Sequence, residues 1–194
     1  VQRNGMNPRN SLMISLNASE GNHMHANGIS MELYGKGYVL APDAGIGLYL
    51  YSGLDYLEYY SQFPSHNTVC VDGISSYPVM KSNHSFDLKS SFPVSSEPGK
   101  AFTSVTYSDV SFREPESHAD QTRMMSIVTT GPETGYYVDI FRSRKERGGD
   151  KMHDYFYHNL GQTLTLTGTD GTDLNLQPTT FFPAAENIYI ITGF

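Results

Sequence analysis

Apolar residues come along this chain in short clumps, and turn-forming residues separate them. Ile29, Met31 and Leu33 alternate with Ser30, Glu32 and Tyr34, and Tyr38 to Ala41 is apolar. Alternation of period two marks a half-buried strand. Only Gly35-Lys36-Gly37 lies between these runs, so the pattern predicts a hairpin with a three-residue, glycine-bearing loop. A second hairpin is predicted around Gly131-Pro132-Glu133-Thr134, joining Met124 to Thr130 with Gly135 to Arg142. Other strand-like runs are Leu48 to Tyr51, Asn67 to Val71 (closed by the turn signal Asp72-Gly73), Phe86 to Lys89 and Phe102 to Val110. His153 to His158, Thr163 to Leu166 and Ile188 to Ile191 complete the series. Gly53 to Gln62 reads as a short helix with Leu54, Leu57 and Tyr60 or Ser61 on one side. Arg142 to Gly149 reads as a charged, solvated loop, and residues 1–20 as an irregular lead-in rich in Asn-Gly, Asn-Pro and Ser punctuation. No segment sustains a 3.6-residue period. Many short strands at spacings of roughly 8–12 residues predict an all-β fold, an antiparallel β-sandwich or barrel. No repeat, low-complexity tract or linker divides the chain, so 1–194 is read as one domain.

Composition narrows the picture. With 38% hydrophobic and 17% charged residues, the chain is no charge-rich disordered polymer. Its 194 residues are enough to build a hydrophobic core without staples. Glycine, tyrosine and phenylalanine abound while tryptophan is absent, which favours strands and turns. The net charge of −7 argues against a nucleic-acid partner, which calls for a basic stripe. A local site can still differ in sign from the whole, so an anionic ligand stays open. No apolar run is long enough to span a membrane, so no membrane insertion is expected. The start lacks a basic region followed by an apolar one, so no signal peptide is read there, and Val1 in place of Met suggests a mature product or a fragment. Cys70, the single cysteine, excludes an internal disulfide and sits in an apolar run, where a thiol behaves as a small buried hydrophobe.

Three places concentrate unusual chemistry: Asn22-His23-Met24-His25-Ala26-Asn27-Gly28, Ala41-Pro42-Asp43-Ala44-Gly45 and Ser65-His66-Asn67-Thr68-Val69. On an extended chain, His23 and His25 would share a face. A His-x-His pair with a carboxylate and a third histidine is a donor set that suits zinc. The predicted hairpin would bring the start of its first strand, after His25, beside the end of its second, before Asp43. Spacing alone leaves a metal site and ordinary histidines both open, and His84, His118, His153 and His158 are read as ordinary surface or core residues.

The words themselves are more specific. His23-Met24-His25-Ala26-Asn27-Gly28-Ile29-Ser30-Met31-Glu32-Leu33-Tyr34-Gly35-Lys36-Gly37, then Leu40-Ala41-Pro42-Asp43-Ala44-Gly45, then Tyr59 to Gly73 with its core Pro64-Ser65-His66-Asn67-Thr68-Val69, stand in an order that resembles the heparinase II/III-like polysaccharide lyases. Tyr137 to Arg142 and His153 to His158 are similar to that family's second sheet. The resemblance is strong over about residues 21–73 and looser to about 160. It implies the C-terminal antiparallel β-sandwich of an enzyme whose N-terminal α/α toroid is lacking here, and hence a fragment of a longer protein. It implies a zinc held by His25, Asp43 and His66, with structural rather than catalytic work, and a substrate-facing His23. It also implies a cleft tyrosine between Asp43 and His66, where Tyr49, Tyr51, Tyr56, Tyr59 and Tyr60 all fall; distance from His66 favours Tyr51. The family word often reads Ala-Asp after the histidine pair, where this chain has Ala26-Asn27, so a charge beside the site is missing.

The activity so implied is β-elimination on a uronic-acid polymer. A base removes the proton at C5, an acid protonates the leaving oxygen at C4, and neutralisation of the neighbouring carboxylate makes that proton removable. His23 would help neutralise the carboxylate or exchange protons, and Tyr51 would serve as acid, base or positioning group. The family's remaining catalytic groups sit on the toroid. The partners expected are an anionic polysaccharide or oligosaccharide and the toroid of the same protein, and the location expected is periplasmic or secreted. Because a leader would precede the toroid, the plain start at Val1 then carries no information on location. Two other classes compete: a non-catalytic carbohydrate-binding or structural β-sandwich, which fourteen tyrosines would suit, and a small jelly-roll enzyme with an open, catalytic metal.

Overall fold

The computed structural model describes residues 1–45, 56–75, 77–78, 80–94, 104–148 and 151–174. Its strands are β1 (Gln2–Arg3), β2 (Leu12–Asn17), β3 (Ser19–Asn22), β4 (Ser30–Gly35), β5 (Tyr38–Ala41), β6 (Val69–Val71) and β7 (Lys81–His84). They continue with β8 (Asp87–Phe92), β9 (Val105–Arg113), β10 (Asp120–Gly131), β11 (Thr134–Arg144), β12 (His153–Tyr155), β13 (Leu166–Thr167) and β14 (Asp173–Leu174). Two four-stranded sheets carry the fold, ordered β1-β2-β4-β5 and β11-β10-β9-β8. Their pairings are antiparallel throughout. Shorter pairs join β3 to β7, β6 to β12 and β13 to β14.

The sheets face each other across one core. Leu12 and Ile14 of β2, Met31 and Leu33 of β4 and Ala41 of β5 pack against Met125 and Ile127 of β10. Fully burying a side chain of this size contributes roughly 1.5–3 kcal/mol. Each strand supplies its inward residues at every second position, which is why period two was visible in the sequence. An antiparallel β-sandwich is what this arrangement is, as expected.

Both predicted hairpins form. Between β4 and β5, Gly35 pairs with Tyr38, which leaves a two-residue turn rather than a three-residue loop. Lys36 and Gly37 have φ of 57° and 82°, the doubly left-handed geometry that matches strand twist. β10 and β11 pair over nearly their whole length. The charged segment is a loop only after Arg144, because β11 runs through Arg142 and Ser143.

The lead-in departs from expectation. Residues 1–20 contain β1, β2 and the start of β3, and β2 lies inside the first sheet. Leu12 and Ile14 are core residues; one apolar clump among Asn and Ser residues was enough to make a central strand once β4 lay beside it. The first residues also reach the second sheet: Gln2 Nε2 donates to the Met125 carbonyl at 3.3 Å and Asn4 Nδ2 to Thr129 Oγ1 at 3.0 Å. Within the predicted helix, Tyr56–Tyr60 is a single π-helical turn, followed by a 3-10 turn over Phe63–Ser65. The runs at Leu48 to Tyr51 and Ile188 to Ile191 lie outside the described residues. Among the described residues, no helix is long and apolar enough to cross a membrane.

Candidate functional site

Three loops at one end of the sandwich bring the singled-out words together. The first follows β3. His23 has φ of 62°, so the chain turns there instead of running on as a strand, and the expectation of two imidazoles on one extended face does not apply. β7 holds this loop from the side: the backbone N–H groups of His23 and Met24 donate to the Met80 carbonyl at 2.8 and 3.4 Å. Ser19 Oγ donates to the His25 carbonyl at 2.6 Å and lies 2.8 Å from Asn27 Oδ1. His23 is exposed and His25 half-buried. Gly28 then has φ of 56°, and a Cβ there would stand 2.8 Å from Thr68 Oγ1 and 3.0 Å from Phe63 Cε1, so both the turn and the close approach call for glycine.

The second loop leaves β5 and carries Asp43. The third leaves the 3-10 turn and carries His66, which is 2% exposed. Asp43 Oδ2 lies 2.6 Å from His66 Nδ1, and Asp43 Oδ1 accepts the Gly45 N–H at 2.9 Å. Burial works against ionisation of Asp43, but the His66 hydrogen bond and charge, the Gly45 N–H and His25 outweigh it and hold its carboxyl below the usual range. With Asp43 ionised, Nδ1 of His66 carries the hydrogen that bonds it. His66 Nε2 is then a buried nitrogen without a hydrogen-bond partner among the described residues. The His25 ring lies beside it, with ring centroids 5.5 Å apart, and also 5.5 Å from Tyr56. Burial first and then the neighbouring His66 push the His25 imidazole below its ordinary pKa, with Asp43 opposing.

The chain therefore brings His25, Asp43 and His66 into one cluster. Among the described residues, no three His, Cys, Asp or Glu side chains stand together closely enough to hold a metal ion as placed. In chemistry the donor types nevertheless suit one, two imidazoles and an ionised carboxylate, with His66 Nε2 unsatisfied and Asp43 bonded to Nδ1 of the same ring. Tyr51 lies outside the described residues. Of the tyrosines in the same interval, Tyr56 is buried, and Tyr59 and Tyr60 are half-buried with rings 5.2 Å apart.

Residues that spacing did not single out tie the three loops to the sandwich. Asn67, fully buried, donates from Nδ2 to the Met31 and Pro42 carbonyls, both at 2.9 Å, and its Oδ1 accepts the backbone N–H of His158 at 2.6 Å. It thus fixes the residue before Asp43 and the residue after His66 together. Arg123 of β10, fully buried, donates from Nη1 to the Ile29 and Asn67 carbonyls at 2.7 and 2.6 Å. Its Nε and Nη2 form a fork with Asp139 at 3.0 and 2.7 Å, and Phe141 lies under the guanidinium at 5.2 Å. His84 of β7, also fully buried, accepts the Gly28 N–H on Nδ1 at 2.8 Å. Glu114 Oε1 lies 3.9 Å from its other nitrogen and also accepts the Tyr77 hydroxyl.

Residues 6–109 match the family described as Heparinase II/III-like, C-terminal. The chain is 32% identical over 167 residues to an endo-acting ulvan lyase of Formosa agariphila, a match that covers 81% of this chain and 20% of that protein. It spans about a fifth of the curated relative it matches. With more than half of its length inside the match, the chain belongs to the heparinase II/III-like C-terminal family.

Proposed function

We propose, with that membership as premise, that the chain is the β-sandwich part of a polysaccharide lyase that cleaves a uronic-acid-containing polymer by β-elimination. The convergence of His25, Asp43 and His66 from three separate loops is the observation that supports it most. Zinc held by these residues would supply a fixed cross-link between the loops. His25 and His66 would each offer an imidazole nitrogen and Asp43 a carboxylate oxygen, the Asp43–His66 hydrogen bond giving way to bonds to the ion. Such an ion would be structural, because elimination needs no metal-activated water.

The chain's own residues do the rest. His23, two residues from His25 and exposed, meets the uronate carboxylate and reduces its charge, which lowers the barrier to losing the C5 proton. Its place is set by the Met80 carbonyl and by Ser19 behind it. A tyrosine of the interval between Asp43 and His66 faces the scissile bond. Groups that complete the chemistry belong to the remainder of the protein, the toroid. The location that goes with this reading is the periplasm or the medium, where polysaccharides are met.

The relative's activity makes ulvan the first polymer to try, followed by alginate and glycosaminoglycans. The full-length protein is incubated with each, and absorbance of the unsaturated uronate is followed. A rise with one polymer, reduced at least ~100-fold in His23→Ala, is the expected result. No rise with any of them ends the lyase reading. Binding without cleavage would instead favour a carbohydrate-binding sandwich.

A further inference from the structure

His158, 91 residues beyond Asn67, meets Tyr59 beside the Asp43–His66 pair. Tyr59 Oη and His158 Nε2 lie 3.3 Å apart, and His158 Nδ1 lies 3.1 Å from Asn67 Oδ1. The orientation of the Asn67 amide decides what these contacts are. Its Nδ2 faces two carbonyls and its Oδ1 faces the His158 backbone N–H. Flipping the amide would set oxygen against two oxygens and NH2 against an N–H donor, so Oδ1 is fixed toward His158. An oxygen there can only accept, which sets the hydrogen on Nδ1 of His158, with the Pro64 carbonyl as the competing acceptor for a ring hydrogen. Nε2 is then a lone pair, and the bond to Tyr59 is donated by the phenol.

We propose that His158 is a positioning residue of this site, locked by Asn67 as the Nδ1–H tautomer, and that it takes the hydroxyl hydrogen of Tyr59. The phenol oxygen then presents its lone pairs, rather than its hydrogen, to a sugar bound at this end of the sandwich. Tyr59 so held accepts a hydrogen bond from a sugar hydroxyl, or a proton when its own passes to His158 Nε2. In that transfer the Tyr59 O–H bond breaks as the His158 N–H bond forms. Burial, followed by Tyr60 and Asp43, keeps the free phenol protonated at neutral pH, as a donor must be. The functional half of the proposal rests on the lyase reading; the tautomer does not.

Long-range nitrogen–proton NMR spectra of the 15N-labelled chain test the tautomer. His158 signals are assigned by their loss in His158→Gln. A protonated Nδ1 and a lone-pair Nε2 at pH 7 are expected, with Tyr59→Phe moving the Nε2 signal. An Nε2–H tautomer, an imidazolium, or an Nε2 signal unmoved by Tyr59→Phe overturns the proposal. In the full-length protein with its uronate polymer, Tyr59→Phe should lower kcat at least ~100-fold with KM within about threefold. His158→Ala should lower kcat about tenfold, and His158→Gln, which keeps an acceptor, should recover most of that loss. A Gln variant no faster than the Ala variant, or a Tyr59→Phe protein at the wild-type rate, overturns the functional half. A wild-type protein that cleaves nothing defeats the lyase reading instead, and the spectra still decide the tautomer.

Discussion

Asn67 shows how one side chain can carry the geometry of a site without touching a substrate. Its two amide hydrogens and its oxygen hold Met31, Pro42 and His158; the first bond is buried and the other two are part-buried. Replacement by alanine would leave two carbonyls and an N–H short of partners, each costing about 1–3 kcal/mol when buried. Asn67→Ala should therefore lower unfolding free energy by about 3 kcal/mol or more, read from urea midpoints at constant m. A loss under ~1 kcal/mol would mean that water replaces the amide. The sequence made His25, Asp43 and His66 legible because each stands in a distinctive word. Asn67 stood in such a word too, but nothing in residue order says that its amide faces Pro42 and His158. His84 and His158 were indistinguishable from ordinary histidines, since partners 56 and 91 positions away leave no periodic trace.

Strands were read well where one face is apolar and poorly where a core position is charged. On β10, Gln121, Arg123, Met125 and Ile127 all point inward, yet only the last two have apolar side chains. The predicted strand accordingly began at Met124, four residues after its observed start at Asp120. A buried arginine survives there because its guanidinium is bound on every edge: by Asp139, by two carbonyls and by the Tyr155 hydroxyl, 3.0 Å from Nη2. Arg123→Ala should cost about 3–5 kcal/mol, the usual penalty for breaking a buried ion pair. Arg123→Lys should recover little of it, because one ammonium cannot serve both a fork and two carbonyls. A Lys variant as stable as the wild type in thermal melts would show that charge, not the fork, is what the position needs. The π-helical turn at Tyr56–Tyr60 was the element least open to prediction, since five residues give no period to measure.

For the whole molecule, pH and metal are the readable controls. Burial lowers the pKa of His84 from its ordinary 6.5 to about 4, against the attraction of Glu114 and with His66 adding to the fall. The unfolded imidazole takes up a proton below about 6.5, while the folded one stays neutral until about 4. The unfolded state thus binds more protons in that window, and stability falls as pH falls through it. The full contribution, up to about 3 kcal/mol, is present above the upper value and gone below the lower one. Urea titrations between pH 4 and 7 should show this slope, and His84→Gln should flatten it; an unchanged slope would assign the effect elsewhere. On the zinc reading, the purified chain should contain about one ion, and EDTA should lower the melting temperature. Zinc at a hundredfold its Kd would stabilise by about 2.7 kcal/mol. A chain free of metal by mass spectrometry, with a melt unmoved by EDTA, would remove His25, Asp43 and His66 as ligands.

The pairing of β6 with β12 has a further consequence, for the order of events during synthesis. His25, Asp43 and His66 all lie within residues 6–109, but the groups that anchor the third loop, Arg123 and His158, lie beyond them. As the polypeptide leaves the ribosome, the chemistry-bearing loops emerge early and wait. They acquire their bracing only when β12, which pairs Tyr155 with Val69 and His153 with Val71, has also emerged and docked. Closing so long a loop is slow relative to forming a hairpin. A nascent chain stalled before residue 153 should thus hold its first hairpin while Asn67 still lacks its His158 contact.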